Sequence, residues 1–195
     1  MNNYEYIIAG LPFLSRDGHE NPDTGAILEE IRSQLSGRDN DTLSFLLRGY
    51  DPEALGKDFY LQAAKSRNRF VREYFALDLA VRNAKVDYLN RSLGRAEGTD
   101  RVQLAEDGDD AAFEEKALVD EILEGNDILA RERALDDFYW KAVDAITVMD
   151  VFDLDVILAF VVKLKLVERW LRLDESAGRE LFRKLVSEIK DNYKI

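Results

Sequence analysis

Three short stretches contain residue types that support chemistry at a spacing close to that of a known site. The first holds the single histidine, His19, which lies in a polar segment with Gly18 and Pro22. A catalytic triad needs a matching nucleophile, and the sequence offers no such pattern. The usual di-metal site of helical bundles needs Glu-x-x-His on two helices, which one histidine cannot supply. We therefore interpret His19 as a solvated loop residue.

The other two stretches resemble ligand-binding loops but lack required positions. Residues 49–57 read GYDPEALGK, with six residues between the glycines where a phosphate-binding loop has four. Asp58 also stands where that loop places the Ser or Thr that binds the metal. Residues 107–110 read DGDD but lack the glycine and the ligand spacing of a calcium loop. We predict no cofactor and no metal, and we interpret 107–110 as part of a solvated acidic linker.

Adjacent carboxylates and two tryptophans complete the candidates. The acidic pairs at 114–115 and 136–137 are sequence neighbours. Neighbours on a helix point about 100° apart, which does not suit paired acid–base catalysis. Trp140 and Trp170 stand among apolar residues at helical positions, which favours a core or interface role over ligand stacking. We predict no catalytic residues and a protein that is not an enzyme by itself.

Composition predicts a folded all-α protein. The chain has 195 residues, 46% hydrophobic content, only three prolines and no cysteine. The missing cysteines exclude disulfides and thiolate metal sites. Residues 1–5 lack a signal-peptide pattern, and the longest strongly apolar run, 156–162, is far shorter than the ~20 residues that cross a bilayer. We expect a cytoplasmic protein without direct membrane insertion.

Charge is distributed in blocks. The net charge is −12, yet residues 65–95 carry eight basic and three acidic side chains, and residues 96–155 carry five basic and nineteen acidic ones. An acidic protein repels phosphate backbones, so we predict no nucleic-acid binding. Two readings of the blocks remain open. Either the basic segment packs beside the acidic one, or one block faces an oppositely charged partner.

One stretch, 57–93, organises the predicted fold. It follows Pro52 and Gly56, contains neither Pro nor Gly, and stops at Gly94. Its apolar residues recur at alternating steps of four and three, which is typical of a long helix packed in a bundle. The members of this seam are Phe70, Tyr74, Leu77, Val81, Ala84 and Tyr88. We predict one helix over 57–93 at the centre of an elongated bundle of about six helices.

The remaining segments complete a single helical domain, 1–195. An acidic, glycine-containing linker at 94–110 is a candidate sub-boundary, which we expect to be exposed and mobile. A helix capped by Asp23 or Thr24 precedes a short helix at 39–47. Residues 3–9 fit either a strand or a helical turn. Further helices are predicted over 110–123, 127–149, 154–173 and 176–193, the third of them enclosed because its first half is apolar on every side.

Two parts of the chain carry a resemblance to known proteins. Residues 4–15, YEYIIAGLPFLS, and the segment 46–55 resemble an uncharacterised bacterial family encoded among the subunits of V-type (A/V-type) rotary ATPases. Lys165, Arg169 and Arg172, followed by an acidic turn and 181–185, LFRKL, are similar to the closing helices of the C-type stalk subunit of rotary ATPases, which is the d-type in eukaryotes. Trp170 replaces the asparagine of that pattern, and Val167 replaces its usual glutamate.

This resemblance implies a mechanical role. The C-type stalk subunit is an all-helical, non-catalytic socket that couples the central shaft to the membrane ring of a proton- or sodium-translocating complex. The implied partners are therefore shaft and ring subunits, and the implied location is peripheral at the inner membrane. The candidate partner contacts are Lys165, Arg169, Trp170 and Arg172. Three alternatives stay open. Arg169 and Arg172 form internal salt bridges to Asp174 or Glu175, or the protein is a small helical adaptor or regulator that self-associates through the Phe70–Tyr88 seam. The third is an enzyme with an unfamiliar site, which would need a concave pocket with several convergent polar groups and shifted pKa values.

Overall fold

All regular secondary structure in the described part of the chain is α-helix. The computed structural model describes residues 4–16, 22–104 and 113–172, with only the backbone of Arg172. Within these ranges there are eight α-helices and no strand, which confirms the all-α prediction. His19, residues 107–110 and the predicted helix 176–193 lie outside the described residues. The helices are α1 Glu5–Gly10, α2 Thr24–Gln34, α3 Gly37–Arg48, α4 Lys57–Ala64, α5 Arg69–Ser92, α6 Lys116–Leu123, α7 Ile128–Ile146 and α8 Leu154–Arg172.

The prediction of one continuous helix over 57–93 is wrong. The chain forms α4, a connection over 65–68, and α5. The Asn68 side chain accepts a hydrogen bond from the Val71 N–H over 2.8 Å and so caps α5. The Ser66 hydroxyl accepts one from the Asn68 N–H over 3.3 Å. Short polar side chains that bond to nearby backbone compete with helix continuation, so a helix can end without Pro or Gly.

The break turns α4 back onto α5. The rings of Phe59 and Phe75 lie 4.8 Å apart at 89°. A continuous helix would separate residues sixteen positions apart by about 24 Å. Gly49, just after α3, allows this packing, because a Cβ atom there would overlap the Phe75 ring. The contact joins α3, α4 and α5 into one layer of the core.

The predicted seam of α5 is buried inside the chain. Phe70 and Tyr74 are buried in the larger core cluster, and Val81 and Ala84 are buried in a second cluster. The half-buried Leu77 and Tyr88 pack against this second cluster. The first half of α5 packs with α3, α4 and α8, and the second half packs with α6 and α7. Because the seam is covered internally, self-association through it would require the bundle to open.

Helix α8 is enclosed, as predicted. Ile157, Leu158, Val161, Val162 and Leu164 are fully buried along its length. Neighbouring helices contact it on several sides, namely α2, α3, α5 and α7. Its apolar first half is thus the centre of the larger core cluster, and no helix among the described residues is long and apolar enough to cross a membrane.

Other boundaries differ modestly from the prediction. Residues 5–10 are helical, and the Asp23 side chain caps α2 by accepting from the Ala26 N–H. Helix α7 ends at Ile146 rather than 149, where the Arg69 guanidinium donates to the Ile146 carbonyl over 2.9 Å. A side chain that satisfies a terminal carbonyl stabilises a helix end at that point. Met149, the last residue of the helix predicted over 127–149, therefore lies outside α7 and is 86% exposed.

The first part of the predicted mobile linker is held against α5. Asn83 donates to the Val102 carbonyl and accepts from the Val102 N–H, both over 3.0 Å. Asn90 donates to the Thr99 carbonyl over 2.7 Å. Val102 and Leu104 pack against the main core. The expectation of an exposed connection is therefore wrong for Arg101, Val102 and Leu104, which are half-buried, because buried amides on α5 replace the hydrogen bonds that water would make.

Candidate functional site

A cleft with a volume of about 810 Å³ opens between α5, α8 and the α3–α4 connection. Aromatic and apolar side chains form one wall, including Tyr50, Leu55 and Phe75. Charged side chains from three helices line the rest. They are Asp78, Arg82 and Lys85 of α5, Asp136 of α7, and Lys165, Glu168 and Arg169 of α8. Residues 49–55 form part of the wall. They belong to the stretch 49–57, which lacks the glycine spacing of a phosphate-binding loop.

Asp78 is the centre of a buried hydrogen-bond network. It is 6% exposed and accepts hydrogen bonds from Tyr60 over 2.7 Å, from Arg82 over 2.7 Å and from Tyr139 over 3.1 Å. These donors come from α4, α5 and α7. Burial raises the pKa of Tyr60 and of Tyr139, and the neighbouring Asp78 charge raises both further. The tyrosines are therefore fixed as donors, and they satisfy a carboxylate that burial alone would destabilise.

A half-buried tyrosine, Tyr50, and a buried one, Tyr74, meet above this network. The hydroxyls of Tyr50 and Tyr74 lie 3.0 Å apart, and either can donate to the other. Burial raises the pKa of both, so both keep their protons at neutral pH. Each hydroxyl carries one hydrogen, but only one of the two hydrogens lies in the bond between them. The other hydrogen has no acceptor among the described residues. Both side chains line the cleft, which therefore contains a spare donor.

The structure brings two of the predicted contact residues into this cleft. Arg169 pairs with Asp136 over 2.6 Å and with Glu132 over 3.2 Å, both on α7. Lys165 pairs with Glu168 over 2.7 Å. The partners that we considered for Arg169, at 174 and 175, lie outside the described residues. The side chain of Arg169 is still 41% exposed, so its internal ion pairs leave it accessible to a partner.

Trp170 lies beside the cleft rather than in it. Its ring N–H donates to Asp136, and the Arg133 guanidinium stacks 4.4 Å from the ring centre. Burial raises the pKa of Asp136, and the Arg169 charge and the Trp170 N–H offset only part of that effect. The side chain of Arg172 lies outside the described residues. Trp170 thus helps to hold α8 on α7.

Lys85 is the cation that sequence reasoning missed. It is half-buried, and no carboxylate within the described part of the chain lies within ion-pair distance of it. Burial lowers the pKa of Lys85, Glu132 opposes this, and the charges of Arg169 and Arg82 lower it further. The spacing of 78, 82 and 85, four and three, was a readable signal for a polar face on α5. The tyrosines around Asp78 could not be predicted from the sequence pattern, because they lie far from Asp78 along the chain.

A second feature of the surface is a pair of apolar patches at the two ends of α5. The patch at its first turn, which we call the start patch, surrounds the α7–α8 turn that Arg69 holds through Ile146 and Asp150. The start patch consists of Tyr6, Val148, Met149, Val151 and Phe152. The Arg91–Asp120 ion pair and the Arg131–Tyr88 stacking contact bring α6 and α7 to the last turns of α5. The exposed apolar residues of these three helices there, which we call the end patch, are Leu89, Leu93, Leu118, Ile128 and Leu129. Exposed apolar clusters of this kind mark interaction surfaces.

Comparison with known proteins gives one match. A family model described as "Protein of unknown function (DUF2764)" matches residues 108–193. The matched range contains α6, α7 and α8, and with them Asp136, Lys165 and Arg169, but not α5. No curated protein and no solved structure matches the chain. The matched family carries no described function, so the function must be argued from the residues.

Proposed function

We propose that the protein is a non-catalytic component of a V-type ATPase, which links the central shaft to the membrane ring in the manner of the C-type stalk subunit. Two kinds of observation support the proposal. The first is the resemblance of residues 4–15 to an uncharacterised family encoded among the subunits of that complex, together with the resemblance of residues 165–185 to its C-type stalk subunit. The second is the arrangement of the exposed apolar surface, which suits a protein that contacts two partners at once.

The observation that carries the proposal is the separation of the two patches by α5. This helix has 24 residues and is therefore about 36 Å long. Its seam is packed against α4, α6, α7 and α8 along its length. Close-packed helices deform little under load, so force applied at one patch reaches the other. A coupling protein needs this combination of two separate contact surfaces and a stiff connection between them.

The experiment is an affinity capture of the tagged protein from gently solubilised membranes, with mass spectrometry as the readout. The proposal predicts stoichiometric recovery of V-type catalytic and shaft subunits. We expect Met149→Glu to reduce that recovery by at least about tenfold, because a buried apolar contact would acquire a charge. Gln62→Glu is the matched control, since it places the same residue on the exposed face of α4.

A clean preparation without ATPase subunits, repeated at low salt, would contradict the proposal. The better account would then be a small helical adaptor or regulator that uses the same two patches for another partner. Loss of capture with both Met149→Glu and Gln62→Glu would also count against a specific surface at the start patch. Reversal of Lys165 and Arg169 to glutamate tests the candidate partner contacts, with the unfolding midpoint of each variant measured in parallel.

A further inference from the structure

The cleft between α5 and α8 contains two donor groups, Lys85 and the Tyr50–Tyr74 pair, that are not fully used by acceptors among the described residues. Each of its three carboxylates already accepts from a cation: Asp78 from Arg82, Asp136 from Arg169, and Glu168 from Lys165. The fourth cation, Lys85, has no such partner among the described residues. The lining carries four cations and three carboxylates, and Glu132 beside it also pairs with Arg169, so the cleft is close to neutral although the chain as a whole carries a charge of −12.

Among the uncharged donors of the cleft, too, one is left without an acceptor within the described part of the chain. Tyr60 and Tyr139 donate to Asp78, whereas the Tyr50–Tyr74 pair keeps one hydrogen without an acceptor among the described residues. Buried donors are normally satisfied, by protein, water or ligand. An acceptor-rich group placed between the tyrosine pair and Lys85 would satisfy both. This requirement selects an anion.

The walls and the volume of the cleft indicate the size and polarity of the part of the ligand that is not the anion. Leu55, Phe75 and Leu166 present apolar surface next to the donors. The volume of about 810 Å³ lies within the range of small-molecule sites. Three cationic groups, Arg82, Lys85 and Arg169, suit a doubly charged group with several oxygens better than a single carboxylate. A bare ion would leave the apolar wall unused.

We propose that this cleft binds an organic phosphate monoester whose phosphate accepts from Lys85 and the tyrosine pair, and whose planar or apolar body lies against the Phe75 wall. The site is separate from the start and end patches, and it does not depend on the proposed ATPase role. A phosphate held there would bridge α5 to the α3–α4 connection, because Lys85 and Tyr74 lie on α5 and Tyr50 follows α3. Ligand binding would thus stiffen the contact between this connection and α5.

Isothermal titration calorimetry of the purified full chain tests the proposal, with phenyl phosphate as the probe and inorganic phosphate as the comparison. We expect saturable binding of phenyl phosphate, at least about tenfold tighter than that of inorganic phosphate, because only the ester uses the apolar wall. Lys85→Ala should weaken binding about tenfold or more by removing a charge-assisted hydrogen bond. Tyr50→Phe should weaken it by a smaller factor, since the lost hydrogen bond is neutral. Lys141→Ala on α7, an exposed lysine outside the cleft, is the matched control and should bind as the wild type does.

Absence of saturable phenyl phosphate binding would overturn the proposal. Equal affinity for phenyl phosphate and inorganic phosphate would overturn the part played by the apolar wall. Unchanged binding by Lys85→Ala would overturn the assignment to this cleft. Lys85 makes no ion pair within the described structure, so its replacement should leave the fold intact, which circular dichroism checks. Because the purified chain is used alone, these outcomes are independent of whether ATPase subunits are captured.

Discussion

The Tyr60 hydroxyl donates a hydrogen bond to the Asp78 carboxylate over 2.7 Å and thereby joins α4 to α5. A continuous helix would place these two residues about 27 Å apart. The bond exists only because the chain turns at 65–68. It also holds a buried carboxylate in place for donors from α5 and α7. The turn that breaks the predicted long helix is thus what assembles the wall of the cleft.

Tyr60→Phe should lower the free energy of unfolding by about 1–3 kcal/mol. The substitution keeps the ring but removes one of the three donors to Asp78, which is buried and charged. Urea denaturation followed by circular dichroism measures the change. Tyr6→Phe is the control, because Tyr6 is 91% exposed and should show no effect. Equal midpoints for Tyr60→Phe and the wild type would contradict a stabilising role for the network.

Asn68→Ala should lower the free energy of unfolding by about 1–2 kcal/mol through loss of the α5 cap. The same side chain donates to Asp155 at the start of α8, so the loss should lie at the upper end of that range. Gln62→Ala, on the exposed face of α4, is the control for removal of an amide side chain from this region. A loss no greater than that of the control would mean that the connection at 65–68 is held by packing rather than by the cap.

The features of the fold that depend on local periodicity could be predicted from the sequence. The seam from Phe70 to Tyr88 and the enclosed α8 are confirmed, because a 3.5-residue apolar period reports burial whatever the partner is. The break at 65–68 was missed because the prediction relied on Pro and Gly as helix terminators. Ser66 and Asn68 were the available signal, since both residue types bond to nearby backbone.

The cleft could not be predicted in the same way. Its central carboxylate, Asp78, meets donors that lie 18 and 61 positions away in the chain. Contacts of that range depend on how helices turn and pack, which periodicity does not encode. Lys165 and Arg169 were singled out from the sequence only because we expected residues 165–185 to be related to the C-type stalk subunit. Their ion-pair partners on α7 and α8 became visible only in the folded chain.

Alkaline pH should destabilise the protein more steeply than ordinary side-chain titration explains. Burial raises the pKa of Tyr50, Tyr60, Tyr74 and Tyr139 above the ordinary value of 10.0. The unfolded chain loses these protons near pH 10 while the folded chain keeps them. Their contribution is therefore complete below pH 10 and is lost as pH rises through the folded-state pKa values.

The measurement is the free energy of unfolding between pH 8 and about pH 11, from urea titrations at each pH. Each such tyrosine contributes a slope of up to about 1.4 kcal/mol per pH unit above its unfolded pKa. Tyr50→Phe should reduce the slope by the contribution of one tyrosine, whereas Gln62→Ala should leave the slope unchanged. Stability that is flat across this range would mean that the four phenols are accessible to water in the folded state.

Gly49→Ala should destabilise the protein by about 1–3 kcal/mol. A Cβ atom at this position would overlap the Phe75 ring, which is buried and in contact with Phe59. Overpacking of this kind forces side chains away from their preferred rotamers. Gly37→Ala is the matched control, because a Cβ there meets nothing within 4 Å and should be neutral or slightly stabilising. Similar midpoints for the two variants would contradict the close contact between the α3–α4 connection and α5.

Asn83→Leu should open the segment at 94–104 before the rest of the chain unfolds. The Asn83 amide provides both backbone partners of Val102, and a leucine of similar size provides neither. Limited trypsin digestion under native conditions measures this opening, because an open segment should be cleaved faster after Arg95 and Arg101. Asn126→Leu, at an exposed turn between α6 and α7, is the control and should be cleaved at the wild-type rate.

Comparison with the free energy of unfolding separates local from global opening. If Asn83→Leu accelerates cleavage by more than its loss of global stability explains, the segment opens by itself. A rate that follows global stability alone would mean that the packing of Val102 and Leu104 against the core holds the segment, with the amide as a minor contributor. The local result is expected, because most of residues 94–100 are exposed and have few apolar contacts to replace the lost hydrogen bonds.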